Sequence, residues 1–166
     1  MRALVWAAIA GLVAVDALYL AIVYFQGGPD PPGVLTVPFV AAYLAIMAAL
    51  LGASLPAPAS AKLVLRAAAS AGLLVMGVVA AFSIGLLVLV IAALSVAATV
   101  NLLGTRPKIL IAAGAAALLA VAVLVVGLQV TSRYIVCPAT GSGGGTTGGL
   151  FGQESYQCDN GRLTTR

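Results

Sequence analysis

LVLRAAASAGLLVMGVVAAFSIGLLVLVIAALSVAATVNLL, from Leu63 to Leu103, is apolar from end to end apart from Arg66, Asn101 and a few hydroxyl side chains. As a single helix rising about 1.5 Å per residue it would run to about 60 Å, twice the hydrocarbon thickness of a bilayer. The chain must therefore turn back within it. Phe82-Ser83-Ile84-Gly85 is the only local punctuation. That places two helices, 63–82 and 84–103, on either side of a very tight hairpin.

Working outward, each flank repeats the same grammar of apolar run and turn. Upstream, SLPAPASAK breaks the chain after a run from Val34 through Ala53, in which Thr36 reads as an N-cap and Pro38 falls in the first turn, where its missing N–H is harmless. QGGPDPPG, from Gln26 to Gly33, is turn chemistry throughout. It ends a first apolar run, Ala3 to Phe25. A basic residue ahead of an apolar stretch is also the pattern of a signal peptide, but this run exceeds the usual core of about 7–15 residues and Ala14-Val15-Asp16-Ala17 makes a poor cleavage site, so a retained helix is expected. Downstream, Asn101 to Lys108 is a polar break and Ile109 to Val130 a further apolar run. The expectation is an all-α, polytopic transmembrane bundle of five helices over 3–25, 34–53, 63–82, 84–103 and 109–130, followed by a tail over 132–166.

Composition supports burial in lipid. Hydrophobic residues make up 63% of the 166 and charged residues 7%, against roughly 45–50% and about 25% in an ordinary soluble domain. In lipid the backbone must satisfy itself, leaving helices or closed barrels, and these continuous Ala- and Leu-rich runs lack the alternation of barrel strands. The net charge of +4 comes from basic residues scattered at the ends of apolar runs, with no stripe or cluster for nucleic acid. There is no histidine and no CxxC pair, so neither a His-based metal site nor a redox motif is present, and no cofactor or metal is expected.

Lys and Arg near helix ends set orientation. With the N-terminus in the cytoplasm, Arg2, Lys62, Arg66, Arg106 and Lys108 collect inside and only Arg133 lies near the membrane outside, Arg162 and Arg166 being too far down the tail to weigh strongly. Five crossings then put the tail outside the cell membrane, where disulfides persist. The tail holds both cysteines of the chain, Cys137 and Cys158. Joining them closes a loop of about 22 residues, worth roughly 3 kcal/mol in the chain-entropy model, around a Gly-rich stretch that reads as a flexible linker. That stretch lacks the Lys of a phosphate-binding loop. The tail is expected to act as an outer cap or contact surface through Leu150, Phe151 and Tyr156, or merely as a stapled end.

Asp16 is the one acidic residue in the middle of an apolar run, where an ionisable group costs several kcal/mol unless paired or hydrated. Two readings follow. In one, Asp16 is an ion or proton site facing the bundle interior, with Tyr19 one turn along to share its proton. In the other, it bonds helix one to a neighbour through Ser70, Ser95, Thr99 or a backbone carbonyl. Ser70, Ser95 and Thr99 are otherwise expected to bond their own helices, and Arg66 and Arg133 to snorkel to the interfaces. Two small-residue stripes, Ala10-Ala14-Ala17-Ala21 and Ala113-Ala116-Ala117-Ala120, allow close helix approach, chiefly within the bundle.

These features favour a non-enzymatic accessory or assembly subunit of a membrane complex, with contacts made by the Ala-lined faces and the outer loop. Its expected partners are the bilayer and another membrane protein or a further copy of itself, with no nucleic acid. The alternative is a small transporter or channel using Asp16. An enzyme would have to work with Glu154, Ser155 or Asp159 at the outer surface, and their spacing indicates no reaction.

Overall fold

A computed structural model describes residues 2–26, 33–81, 84–100, 107–137, 139–149 and 152–165. Among these, five helices are followed by strands: α1 (Arg2–Gln26), α2 (Thr36–Ala53), α3 (Ala59–Val79), α4 (Gly85–Val100) and α5 (Pro107–Thr131), with β1 (Gly33–Val34) ahead of α2 and β2 (Ile135–Val136), β3 (Ser142–Gly149), β4 (Gly152–Asp159) and β5 (Arg162–Thr165) after α5. α1, α2, α3 and α5 are long and apolar enough to cross a membrane, while α4 is a shorter apolar helix. Its 16 residues rise about 24 Å.

The helix starts differ from the sequence expectation for local reasons. The Phe39 N–H donates to the Leu35 carbonyl at 3.2 Å, so Leu35 holds the capping position of α2 and Thr36 is its first helical residue. α3 begins at Ala59, four residues earlier than expected, because the extended Pro58 (φ −64°, ψ 159°) aims its carbonyl at the Lys62 N–H, 2.8 Å away. α5 opens on Pro107, whose fixed φ suits a first helical position. The breaks expected at 27–32 and 101–106 lie outside the described residues, as do Phe82 and Ser83 of the hairpin.

The hairpin itself is present between α3 and α4. Its closure depends on glycine at the contact: the Gly85 N–H donates to the Ala80 carbonyl at 2.8 Å, and a Cβ at Gly85 would run into the Ala80 backbone and the Gly77 carbonyl oxygen. A Cβ at Gly77 would lie 2.7 Å from Leu89 Cγ. Two apolar helices can pack this closely where small residues remove the intervening side chain.

The chain divides into two compact units. The first comprises Met1–Tyr19 and Ala42–Leu124. Its interior takes one face of each contributing helix: Val5, Ala8, Leu12 and Val15 of α1; Tyr43, Leu44, Met47 and Leu51 of α2; Leu63, Ala69, Leu73 and Met76 of α3; Val88, Ile91, Ala92 and Ser95 of α4; and Ala113, Ala120 and Leu124 of α5. Gly11 seats the Ile91 side chain, and the Tyr43 ring passes the notch at Gly72 to donate its hydroxyl to the Ala120 carbonyl at 2.9 Å. Large apolar side chains also cover the opposite faces, among them Ile111 at 74% and Leu118 at 73% exposure. A helix apolar on all sides belongs in a nonpolar solvent.

The second unit comprises Leu20–Ala41 and Val125–Arg166. Within it the Phe39 ring lies against Gly127, and β1 pairs antiparallel with β2 through Gly33↔Val136 and Val34↔Ile135. β3, β4 and β5 form a three-stranded antiparallel sheet in that order. The reading of the Gly-rich stretch as a flexible linker is thus corrected, and the all-α expectation with it: residues 142–149 are a strand paired along its whole length from Ser142↔Asp159 to Gly149↔Gly152. Tyr156, directly opposite Gly145, brings its hydroxyl to 3.0 Å from where a Gly145 Cβ would stand. An aromatic ring over a cross-strand glycine covers backbone that glycine leaves bare. β4 and β5 are joined by Asn160 and Gly161 at φ 45° and 79°, both positive as a type I′ hairpin turn requires.

Candidate functional site

Asp16 is half-buried on α1, at the edge of the face that buries Leu12 and Val15. Its Oδ1 is buried and has no hydrogen-bond partner among the described residues. Tyr19, one turn on, is also half-buried. The hydroxyls expected as partners for Asp16 are engaged elsewhere. Ser70 Oγ and Ser95 Oγ lie 2.7 Å apart across the α3–α4 contact, Thr99 Oγ1 donates to the Ser95 carbonyl at 2.7 Å, and Ser70 reaches Thr99 at 3.4 Å. Thr99 makes the expected bond within its own helix, but Ser70 and Ser95 bond each other across the two helices and Ser70 also reaches Thr99.

Arg66 is the largest departure. Expected to snorkel, it is 4% exposed. It lies seven residues into α3, about 10 Å from the helix start. Its Nε donates to Ser54 Oγ and its Nη1 to the Ala98 carbonyl, both at 3.1 Å, and Ser54 Oγ in turn donates to the Leu51 carbonyl at 2.7 Å. Ser54 directly follows α2 and Ala98 stands in the last turn of α4. The guanidinium therefore faces the C-terminal ends of two helices, whose last carbonyls lack intrahelical donors and carry partial negative charge. Neutral oxygens stabilise the cation where a carboxylate would be the usual partner. Helix ends are legible in sequence, but which of them meet around Arg66 is a tertiary fact.

The alanine stripes separate. Ala113 and Ala120 of α5 are buried and Ala116 and Ala117 half-buried, within the first unit. On α1, Ala10, Ala14 and Ala17 are exposed and only Ala21 is half-buried. Among the described residues Ala10, Ala14 and Ala17 are left uncovered, a smooth strip about a third of a turn round α1 from Asp16. Exposed aromatic side chains mark both ends of α1: Trp6 near its start, and Tyr24 and Phe25 near its end, the last two in edge-to-face contact at 5.7 Å.

In the tail, Cys137 and Cys158 are disulfide-bonded, with their Cα atoms 5.5 Å apart. β4 alternates: Tyr156 and Cys158 are buried while Ser155, Gln157 and Asp159 are exposed. The contact residues Leu150 and Phe151 lie outside the described residues. On the exposed face a groove of about 530 Å³ runs across all three strands, floored by Gly143, Gly144 and Gly145 and edged by Ser142, Ser155, Gln157 and Thr164. The signal for these strands was readable: Asp159-Asn160-Gly161-Arg162 carries the Asn-Gly pair that specifies a two-residue hairpin. Among the described residues no group of His, Cys, Asp and Glu is placed to hold a metal ion. No protein-family model matches the sequence, and no curated protein or solved structure is significantly similar to the chain.

Proposed function

We propose that the chain is a five-pass integral protein of the cell membrane, N-terminus inside and tail outside, acting as a non-enzymatic accessory or assembly subunit of a membrane complex. The membrane reading draws on four long apolar helices, a fifth apolar helix too short for a steep crossing without local thinning, and outward faces covered by large apolar side chains. Trp6 and Tyr24 are separated by about 27 Å of helical rise, near the hydrocarbon thickness, as aromatic belts at two interfaces require. The observation that carries the subunit reading is on α1, where Ala10, Ala14 and Ala17 form an exposed strip and Asp16, about a third of a turn round the helix from it, has a carboxyl oxygen without a hydrogen-bond partner among the described residues. A partner that packs a helix closely on the alanines and reaches round α1 could supply a donor to Asp16, which lipid cannot.

A photo-crosslinking amino acid at position 14, activated in native membranes, tests this. A discrete adduct with one protein, weakened by Asp16→Ala, is the expected result; lipid adducts alone would overturn it. The same unpartnered oxygen favours a second reading, an ion or proton site. Reconstituted liposomes decide it, because flux that is absent from the parent, or unchanged in Asp16→Asn, removes that role.

A further inference from the structure

We propose that the outer face of the β3–β4–β5 sheet binds a neutral polyhydroxylated ligand, a saccharide of one or two rings. The inference is independent of the helix-bundle reading, since the groove is built from tail residues alone. Its volume of about 530 Å³ lies within the roughly 300–1,000 Å³ of small-molecule sites.

The chemistry of the lining selects the ligand. By register, Gly144, Gln157 and Thr164 stand side by side across the three strands. Ser155 lies two residues from Gln157 on the same strand, and so on the same face. Ser142 edges the groove at the start of β3. Hydroxyls that both donate and accept thus flank an amide that does the same, a set that matches vicinal hydroxyl groups in either sense. Three successive glycines leave the β3 backbone bare, so that a ligand can approach the main chain directly. The Tyr156 ring lies over Gly145 on the opposite face of the sheet, so it backs the strands that carry the groove and does not line it with its ring. Other ligand classes fit poorly among the described residues: no lining side chain is cationic for an anion, none is a carboxylate or thiolate for a metal, and none is aliphatic for an apolar molecule.

The full-length protein labelled with ¹⁵N-glycine, held in a phosphocholine detergent free of sugar headgroups, is titrated with maltose and separately with chitobiose. Saturable shifts of the Gly143, Gly144 and Gly145 amides are expected with at least one of them, in the millimolar range usual for so open a site. In a Gln157→Leu/Thr164→Val double variant the affinity is expected to fall at least about tenfold, the loss of two hydrogen bonds. Leu163→Ala, on the opposite face, should titrate as the parent does. Ser155→Ala repeats the test should the double variant lose its strand. Absence of saturable shifts with both sugars, equal affinity in the groove variants, or a saturable response only to an extended peptide, which would assign the free edge of β3 to strand addition, each overturns the proposal.

Discussion

The most informative single residue is Arg66, because its burial reverses what its position suggests. A long cationic side chain near a helix end normally reaches for the interface; here it is held by Ser54 Oγ and the Ala98 carbonyl, at the ends of two other helices. Arg66→Ala removes the guanidinium packing and strands the Ala98 carbonyl, and a loss of about 3 kcal/mol is expected from cavity and hydrogen-bond terms together. Arg66→Met keeps much of the volume and removes the buried charge, so it should cost half as much or less. Thermal unfolding in detergent, followed by helical circular dichroism, gives the order; equal losses would show that the charge and not the packing stabilises the site. Tyr43→Phe deletes only the hydroxyl bonded to Ala120 and should cost about 1 kcal/mol in the same assay. Neither role was legible in sequence. Position along a helix can be counted, but a buried polar side chain is explained by partners 12 to 77 residues away.

At the scale of elements, sequence and structure agree where periodicity and punctuation act together. All five helices are present, and the hairpin inferred from the length of one apolar run stands between Val79 and Gly85. Where sequence and structure differ, a competing local rule prevails. Leu35 rather than Thr36 caps α2, since the cap is set by which carbonyl accepts the first helical bond. In the tail, glycine content predicts flexibility, whereas the Asn160-Gly161 turn and the paired register to Asp159 organise it as a sheet. The α3–α4 contact yields a test of close packing. Gly77→Ala places a methyl group against Leu89 and should destabilise by about 1–3 kcal/mol. Leu89→Ala alone should also destabilise, through the space it empties. Combined, the two changes relieve one another, so the double variant should be more stable than the sum of the single losses implies. Strict additivity would mean that the helices separate instead of clashing.

For the molecule as a whole, the proposed topology turns on which side of the membrane each end lies. The number of crossings and the side of the tail stand or fall together, because losing one helix inverts everything after it. α4 is the element to watch, at 16 residues the shortest of the five. Basic residues argue for Lys108 inside, and the Cys137–Cys158 bond argues for a tail in an oxidising compartment. Since the chain holds no other cysteine, labelling can separate the possibilities. In intact cells treated with a membrane-impermeant reductant and then an impermeant maleimide polymer, both tail thiols should react without permeabilisation. In a Cys137→Ser/Cys158→Ser background, Lys108→Cys should react only after permeabilisation. Reduction should also release about 3 kcal/mol of loop constraint from the tail, collapsing the dispersion of the β3 and β4 amides while the helical circular dichroism stays unchanged. Protected tail thiols with an accessible position 108 would invert the molecule. Thiols and position 108 reactive on the same side would place an even number of crossings between them, and α5, the run between those two points, would have to lie on the membrane or double back within it.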